Sequence, residues 1–510
     1  MLNAYFQLPQ SIRWGLLLLG GLANSLAFAP YNYSFIPFIT LTLLLLELEG
    51  KTVKKAAFTG FIYGLGWFGA GISWVHVSID KFGGLPLIAS LALIAMLVAY
   101  LSIYPALVSA LLTRFTPKSS YWIFVFAPLW LIFEWLRSVV LSGFPWLSLG
   151  YSQFESPVSA YAPVIGEIGI TFIMCLTAVL LKQLVQRNNL KLTLTGLGAI
   201  ILATVLLQFP QWTERQNTTK TIALVQGNIE QEMRYVPEND WPTFLKYLDL
   251  SRPHYSDVDL MIWPEAAIPM IEPSAIEDLY NLDKAVANNK TALISGILDY
   301  NLDNGAIYNT LIVMGLREED DTKGQYHYPH NNRYNKHHLL PIGEFVPFED
   351  FLRPLAPIFD LPMSSFTRGD VRQTNLRANG LNIVPAICYE IIFPGLLRQN
   401  ITKESDFILT VSNDAWFGTS AGPLQHMQIA QMRALEFGLP LLRATNNGVT
   451  AITDEKGQII KQLAQFEAGV LKAEVNLVDG QTPYLLYGNW PVWWLSLFGL
   501  GVVFWRQRRV

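Results

Sequence analysis

The sequence predicts a membrane-embedded α-helical bundle of about eight transmembrane helices, with an α/β domain inserted before the last of them. Three observations predict it. Apolar stretches follow one another from Trp14 to Phe209 with only short polar breaks. From Thr221 to about Gly480 the composition becomes that of a soluble domain, in which short β-branched runs alternate with helix-like stretches. A last apolar stretch, 490–505, ends in Arg506-Gln507-Arg508-Arg509. The whole chain carries the same mixture: 51% of its 510 residues are hydrophobic and only 15% charged.

Candidate spans lie at 14–29, 33–46, 56–75, 85–112, 121–135, 160–184 and 192–209. Several match the roughly 20 residues that cross a bilayer; the shorter ones suit tilted or re-entrant pieces. The opening stretch has a rival reading, because Arg13, an apolar core and Ala27-Phe28-Ala29 resemble a signal peptide with its cleavage site. The immediate run of further spans favours an uncleaved first helix. Gly64-Leu65-Gly66-Trp67-Phe68-Gly69 is a literal GxGxxG, but no strand precedes it, so Gly60 and Gly64 are read as close-packing positions between membrane helices.

Basic residues set the orientation. Lys51, Lys54 and Lys55, then Arg114 and Lys118, then Lys182, Arg187 and Lys191 fall on one side if seven spans precede Pro210. The positive-inside rule makes that side cytoplasmic, so both termini are expected inside and the inserted domain outside. Residues 1–209 form the N-terminal helical region, 210–220 a polar linker, 221–480 the α/β domain, and 481–510 the last helix with its basic tail. Within the α/β domain, strands are expected at 221–226, 260–263, 292–297, 310–314, 383–388, 407–412, 441–445 and 450–453, and helices at 275–288 and 424–438.

Charge and cysteine usage exclude several functions. The net charge is −4 and no basic run precedes the tail, which argues against nucleic acid as a partner. The two cysteines, Cys175 and Cys388, lie in segments of different character, so neither a disulfide nor a cysteine-based metal site is expected. His327, His330, His337 and His338 lack a carboxylate or cysteine at familiar spacing, so no metal is expected there. Fifteen tryptophans suit membrane interfaces.

Three places can carry chemistry. A strand ends in Trp263-Pro264-Glu265. Arg333-Tyr334-Asn335-Lys336-His337-His338 leads through a turn to Gly343-Glu344-Phe345-Val346-Pro347. The apolar run 381–387 delivers Cys388-Tyr389-Glu390 at the end of a strand, where open α/β sheets usually place their chemistry. Taken singly, Glu265 reads as a cap, Lys336 as a solvated loop lysine, Glu344 as a turn carboxylate and Cys388 as an inert core thiol. Together they supply a base, a cation for a developing oxyanion, and a nucleophile, which is a set for acyl transfer without histidine or metal.

These motifs resemble the three signature regions of the nitrilase, or carbon–nitrogen hydrolase, superfamily. The flanking spans narrow the resemblance to the apolipoprotein N-acyltransferase family of bacterial envelopes. Val225-Gln226-Gly227-Asn228-Ile229, Asn413-Asp414-Ala415-Trp416-Phe417-Gly418, Thr445-Asn446-Asn447-Gly448 and Ser142-Gly143-Phe144-Pro145-Trp146 are similar to that family too. The resemblance implies a nitrilase-like αββα sandwich with Glu265 as general base, Lys336 as stabiliser of the tetrahedral intermediate and Cys388 as nucleophile. It makes Glu344 the residue that positions the lysine, with Tyr389 and Glu390 as supporting residues. Trp146, Tyr235, Phe359, Trp416 and Phe417 become candidates for substrate access; some members of the family have tryptophan where Tyr235 stands.

The implied reaction moves an acyl chain from a phospholipid donor, through a Cys388 thioester, to the α-amine of a diacylglyceryl-modified apolipoprotein. No cofactor is implied. The implied setting is the bacterial inner membrane, multi-pass, with a monomeric protein whose catalytic domain is periplasmic. The rival readings are a membrane-tethered amidase or lipid hydrolase using the same three residues, and a transporter whose outer domain only binds ligand. The scarcity of ionisable residues in the spans argues against the transporter.

Overall fold

A computed structural model describes residues 2–82, 87–116, 119–234, 236–341, 343–345 and 366–507. The chain divides into two compact units. One comprises Met1–Asp80, Leu85–Gln211 and Pro483–Val510; the other is chiefly Trp212–Thr482.

The first unit is helical. Three of its helical segments, Leu87–Phe115, Ser119–Ser142 and Pro157–Val185, are long and apolar enough to cross a membrane. Ile36–Leu48 and Leu190–Leu206 are apolar but shorter. At 13 residues the former rises only about 20 Å, short of a roughly 30 Å hydrocarbon core. Helix Val53–Gly71 is wedged between Gln10–Asn24 and Leu87–Phe115 by its glycines. A Cβ at Gly60 would sit 2.4 Å from the Pro105 carbonyl oxygen, and one at Gly66 would sit 2.2 Å from that of Leu18. The GxGxxG stretch is thus a helix-packing surface, as its apolar setting suggests. Cys175 is fully buried in helix Ala162–Val185.

The second unit contains two six-stranded sheets among the described residues. The strands are β1 (Thr213–Gln226), β2 (Leu260–Ile262), β3 (Ala292–Tyr300), β4 (Ile307–Gly315), β5 (Arg333–Asn335), β6 (Leu376–Ala378), β7 (Leu381–Ile387), β8 (Phe407–Ser412), β9 (Leu441–Thr445), β10 (Ala451–Thr453), β11 (Ile459–Gln462) and β12 (Gly469–Gly480). One sheet runs β12-β1-β2-β3-β4-β5 and the other β11-β10-β9-β8-β7-β6. In each, the central pairs are parallel: β1 with β2 and β2 with β3, then β7 with β8 and β8 with β9.

Alternation along the strands builds two layers of core. Ile222, Leu224, Leu260 and Ile262 from one sheet pack with Ile383, Leu409, Val411 and Leu442 from the other. The intervening residues Ala223, Val225, Met261 and Leu293 face Phe244 and Tyr247 of helix Asp240–Ser251 and Leu279 and Val286 of helix Ile276–Asn288. On the second sheet, Met427 of helix Gly422–Phe437 packs with Ala451. Burial on both faces is why these strands read as unbroken apolar runs.

The main departures from expectation lie at the edges. The stretch 210–220 is not a linker throughout: β1 begins at Thr213 and pairs with β12 from Thr213 opposite Gly480. Its side chains there are mostly exposed, so hydrogen bonding to β12, and not burial, makes the strand. Strands β5, β6, β11 and β12 and helices Asp240–Ser251 and Pro394–Asn400 were also not anticipated. β5 and β6 are three residues long, and β11 is exposed along its whole length, so neither length nor apolar patterning marks them.

Candidate active site

Glu265 is delivered by the turn after β2. Ala266 has a positive φ of 46°, and the turn lies against β3 so closely that a Cβ at Gly296 would come within 2.3 Å of the Ala266 nitrogen. The Arg234 guanidinium donates to the carbonyl oxygens of Glu265 and Ala266 and so clamps the same turn. Lys336 follows β5. Its N–H donates to the Asn309 carbonyl (2.8 Å), and its own carbonyl accepts from Gly369 (2.9 Å).

The side chains converge. Lys336 Nζ donates to Glu344 Oε1 at 2.8 Å and lies 3.3 Å from Glu265 Oε1. Asn309 Nδ2, from β4, donates to Glu265 Oε1 (2.8 Å) and Glu344 Oε1 (3.2 Å). The Asn413 N–H donates to Glu265 Oε2 (3.0 Å), and the Leu340 N–H to Glu344 Oε2 (2.8 Å). Lys336 is 1% exposed. Burial alone would favour its neutral form, but Glu344 and Glu265 outweigh that and hold its pKa well above the usual lysine range.

Cys388 is the first residue after β7, in the turn Cys388–Ile392, with φ at 54°. A cysteine in the left-handed region is strained backbone, held by its surroundings. As a residue Cys388 is half-buried, whereas Cys175 is buried. Burial and then the Glu265 charge push the Cys388 pKa far above the ordinary thiol range, opposed by Lys336 and a hydrogen bond with Ser412. Cys388 therefore rests as a neutral thiol, within the electrostatic reach of Glu265 and Lys336.

Glu390 is fully buried and ties the cysteine turn to the lysine loop. It accepts from the N–H groups of Ile387 (2.8 Å), His337 (2.7 Å) and His338 (2.9 Å), and from the Tyr334 hydroxyl (2.9 Å). Tyr389 is buried with its ring 5.3 Å from Phe393 and 5.9 Å from His338.

Trp416 and Phe417 are half-buried in the turn Asp414–Phe417. Trp146 is in the helical unit, 2% exposed, against Trp74 and Phe144. Tyr235 and Phe359 lie outside the described residues. Sequence reading missed Asn309 and the Asn413 N–H. The only signal for Asn309 is an amide that interrupts an otherwise apolar run.

Residues 221–482 match the carbon–nitrogen hydrolase family, and residues 20–180 match the apolipoprotein N-acyltransferase N-terminal domain. A Vibrio cholerae serotype O1 apolipoprotein N-acyltransferase is 49% identical over 494 residues, covering 96% of each chain. The Photobacterium profundum protein of the same name is 47% identical and covers 94% of this chain and 92% of its own. The chain belongs to the apolipoprotein N-acyltransferase family. Among solved structures, a member of branch 10 of the nitrilase superfamily from Saccharomyces cerevisiae is 18% identical, with TM-score 0.37 over 52% of this chain and 92% of its own. Membership brings an acyltransferase activity to a domain in which a buried Glu–Lys–Glu cluster lies within electrostatic reach of a strained cysteine.

Proposed function

We propose that this chain is a phospholipid-dependent N-acyltransferase that completes lipoprotein maturation through a Cys388 thioester. The observation that carries the reading is the meeting of Glu265, Lys336 and Cys388, brought from three separate strand ends of a family member. Glu265 takes the thiol proton, and the sulfur attacks the ester carbonyl of a phospholipid. Lys336 Nζ holds the oxyanion that forms. The C–O bond then breaks, Glu265 returns the proton to the departing alkoxide, and a lysophospholipid leaves.

In the second half-reaction the α-amine of an S-diacylglyceryl-cysteine attacks the thioester carbon and gives its proton to Glu265. The C–S bond breaks and the thiol is restored. The two halves give ping-pong kinetics. Glu344 positions Lys336, and Glu390 with Tyr389 supports the cysteine turn. Trp416 and Phe417, with Tyr235 and Phe359, are proposed to gate lipid entry. No cofactor is required by these steps.

The topology proposed with this function has eight spans, both termini cytoplasmic, and residues 221–480 in the periplasm of a bacterial inner membrane, with the protein acting as a monomer. Its support is the Lys and Arg distribution among the loops. A cytoplasm-only reporter fused after Asp479 should be inactive; an active one overturns the topology.

The test of mechanism is intact-mass measurement after the purified protein meets phospholipid alone. One acyl mass should appear, be released by neutral hydroxylamine, and be absent in Cys388→Ala. Acylation or turnover by Cys388→Ala removes the nucleophile and the roles assigned with it. Addition of an amine acceptor should discharge the adduct faster than water does; discharge by water alone would make the chain a lipid hydrolase.

A further inference from the structure

A second buried cluster touches Cys388 through groups other than Glu265 and Lys336. Ser412 closes β8, Asp414 lies in the turn after it, Arg443 is on β9, and His426 is on helix Gly422–Phe437. All four are at most 1% exposed. Asp414 Oδ1 accepts from the Ser412 hydroxyl (2.6 Å), and Asp414 Oδ2 accepts from Arg443 Nη2 (2.8 Å). Gly448 leaves the room this requires, since a Cβ there would be 2.3 Å from Asp414 Oδ2.

His426 connects the cluster to the nucleophile. Its Nε2 is 3.1 Å from the Cys388 carbonyl oxygen, and its Nδ1 is 3.0 Å from Arg443 Nη2 and 3.3 Å from Asp414 Oδ1. A carbonyl oxygen only accepts, so Nε2 carries a proton. A guanidinium only donates, so the nearer partner of Nδ1 faces a lone pair. The ring is therefore neutral, with its hydrogen on Nε2. Burial and then Arg443 also lower its pKa, with Asp414 opposing. Asp414 thus reaches the Cys388 carbonyl through Arg443 and His426.

We propose that His426 is a positioning residue for the nucleophile: fixed as its Nε2–H tautomer, it pins the Cys388 carbonyl and so maintains the left-handed backbone that presents the sulfur. The inference rests on Cys388 being the nucleophile. Displacement of a nucleophile by even ~1 Å costs on the order of a hundredfold in rate, so a carbonyl anchor behind it affects chemistry without touching substrate.

The test uses the full chain in detergent with Cys175→Ala as background, so that any acyl-thioester is on Cys388. Two readouts are taken: melting temperature and acyl-enzyme formation from phospholipid. The charged groups facing the thiol are Glu265, Lys336 and Asp414. His426→Leu should slow acylation by about tenfold to a hundredfold. His426→Gln, which keeps a donor toward the carbonyl, should restore most of that loss at similar melting temperature.

Parental acylation by His426→Leu, or equal failure of folded His426→Gln, overturns the inference while leaving the nucleophile in place. Acylation of Cys388→Ala overturns the nucleophile itself and the inference with it.

Discussion

Both units of the molecule bury a cation against carboxylate, and they do it in opposite ways. In the helical unit, Glu134 and Arg137 are three residues apart on one helix and form a buried ion pair. The guanidinium spends its remaining donors on the carbonyls of Phe144 (2.6 Å) and Trp146 (2.7 Å), while Trp130 Nε1 donates to Glu134 Oε2 (3.1 Å). Its hydrogen-bond partners Glu134, Phe144 and Trp146 all lie within nine residues of Arg137 in sequence, and the guanidinium also covers the Phe68 ring. In the α/β unit, Lys336 draws its carboxylates from 8 and 71 residues away, and there are two of them for one ammonium. The first arrangement is balanced and local, and its work is to hold a loop. The second keeps a carboxylate in excess beside a neutral thiol, which is what proton abstraction needs. Buried charge becomes a sign of chemistry here through the imbalance and the long-range convergence, not through burial itself.

The largest effect should come from removing the cation of the unbalanced cluster. Lys336→Met leaves Glu265 and Glu344 facing each other without a counter-charge, and should cost about 3–5 kcal/mol of stability as well as nearly all turnover. Lys336→Arg should fail almost as badly in turnover, because a planar guanidinium does not fit where a compact ammonium meets an oxyanion; one such donor is typically worth ~3 kcal/mol. Acyl-enzyme formation by mass, with melting temperature alongside, measures both. If the arginine variant keeps most of its activity, Lys336 only balances charge and the contrast with Arg137 collapses.

Glu265→Gln should separate thiol acidity from catalysis. The Glu265 charge is one of the causes that raise the Cys388 pKa, second to burial. Its removal should lower the pH at which iodoacetamide reacts with Cys388, yet stop acylation, because the proton has no acceptor when the ester is attacked. A midpoint that rises or stays put would mean that the two side chains do not share the site.

Arg137→Ala should do the reverse. With Glu134 left without its counter-charge and two carbonyls without their donor, stability should fall by about 3–5 kcal/mol. The alkylation profile of the protein that remains folded should be unchanged. Replacing Glu134 and Arg137 together with leucine and methionine should recover much of the stability, since a balanced pair gives little net gain over apolar packing. A change in the pH dependence of Cys388 in either variant would give the helical pair a part in the chemistry.

Much of the molecule was legible from sequence because it obeys local rules. Strands β8 and β9 were read to the residue, since apolar runs bounded by polar turns leave one solution. Glu265, Lys336, Glu344 and Cys388 stand where charge or sulfur returns after a strand. Sheet register was not legible, and register decides that Asn309 reaches both glutamates and that Asn413 offers its N–H to one of them. His426 and Arg443 read as ordinary polar residues of a helix and a strand, because the carboxylate between them belongs to a third segment. The helices proved harder to count than the strands to place: Ile36–Leu48 is too short to be known as a span from its own composition.

The smallest expected effect concerns Trp146, for which sequence suggested substrate access. It is 2% exposed, its ring is 5.1 Å from Trp74 and 6.3 Å from Phe144, and its carbonyl accepts from Arg137. An indole so enclosed meets lipid only if its neighbours move first. Trp146→Phe keeps an aromatic ring against both neighbours and leaves the backbone carbonyl in place, so the ion pair that anchors the loop is untouched. What is lost is one fused ring's worth of packing, about 1–2 kcal/mol by the cost of shrinking a buried side chain. The melting temperature should fall by a few degrees, in proportion to that loss. Acylation of Cys388 by short-chain and long-chain phospholipids should slow equally or not at all. A loss confined to long-chain donors would show that the loop carrying Trp146 opens to the acyl chain, and would turn the Glu134–Arg137 pair from a staple into part of a gate.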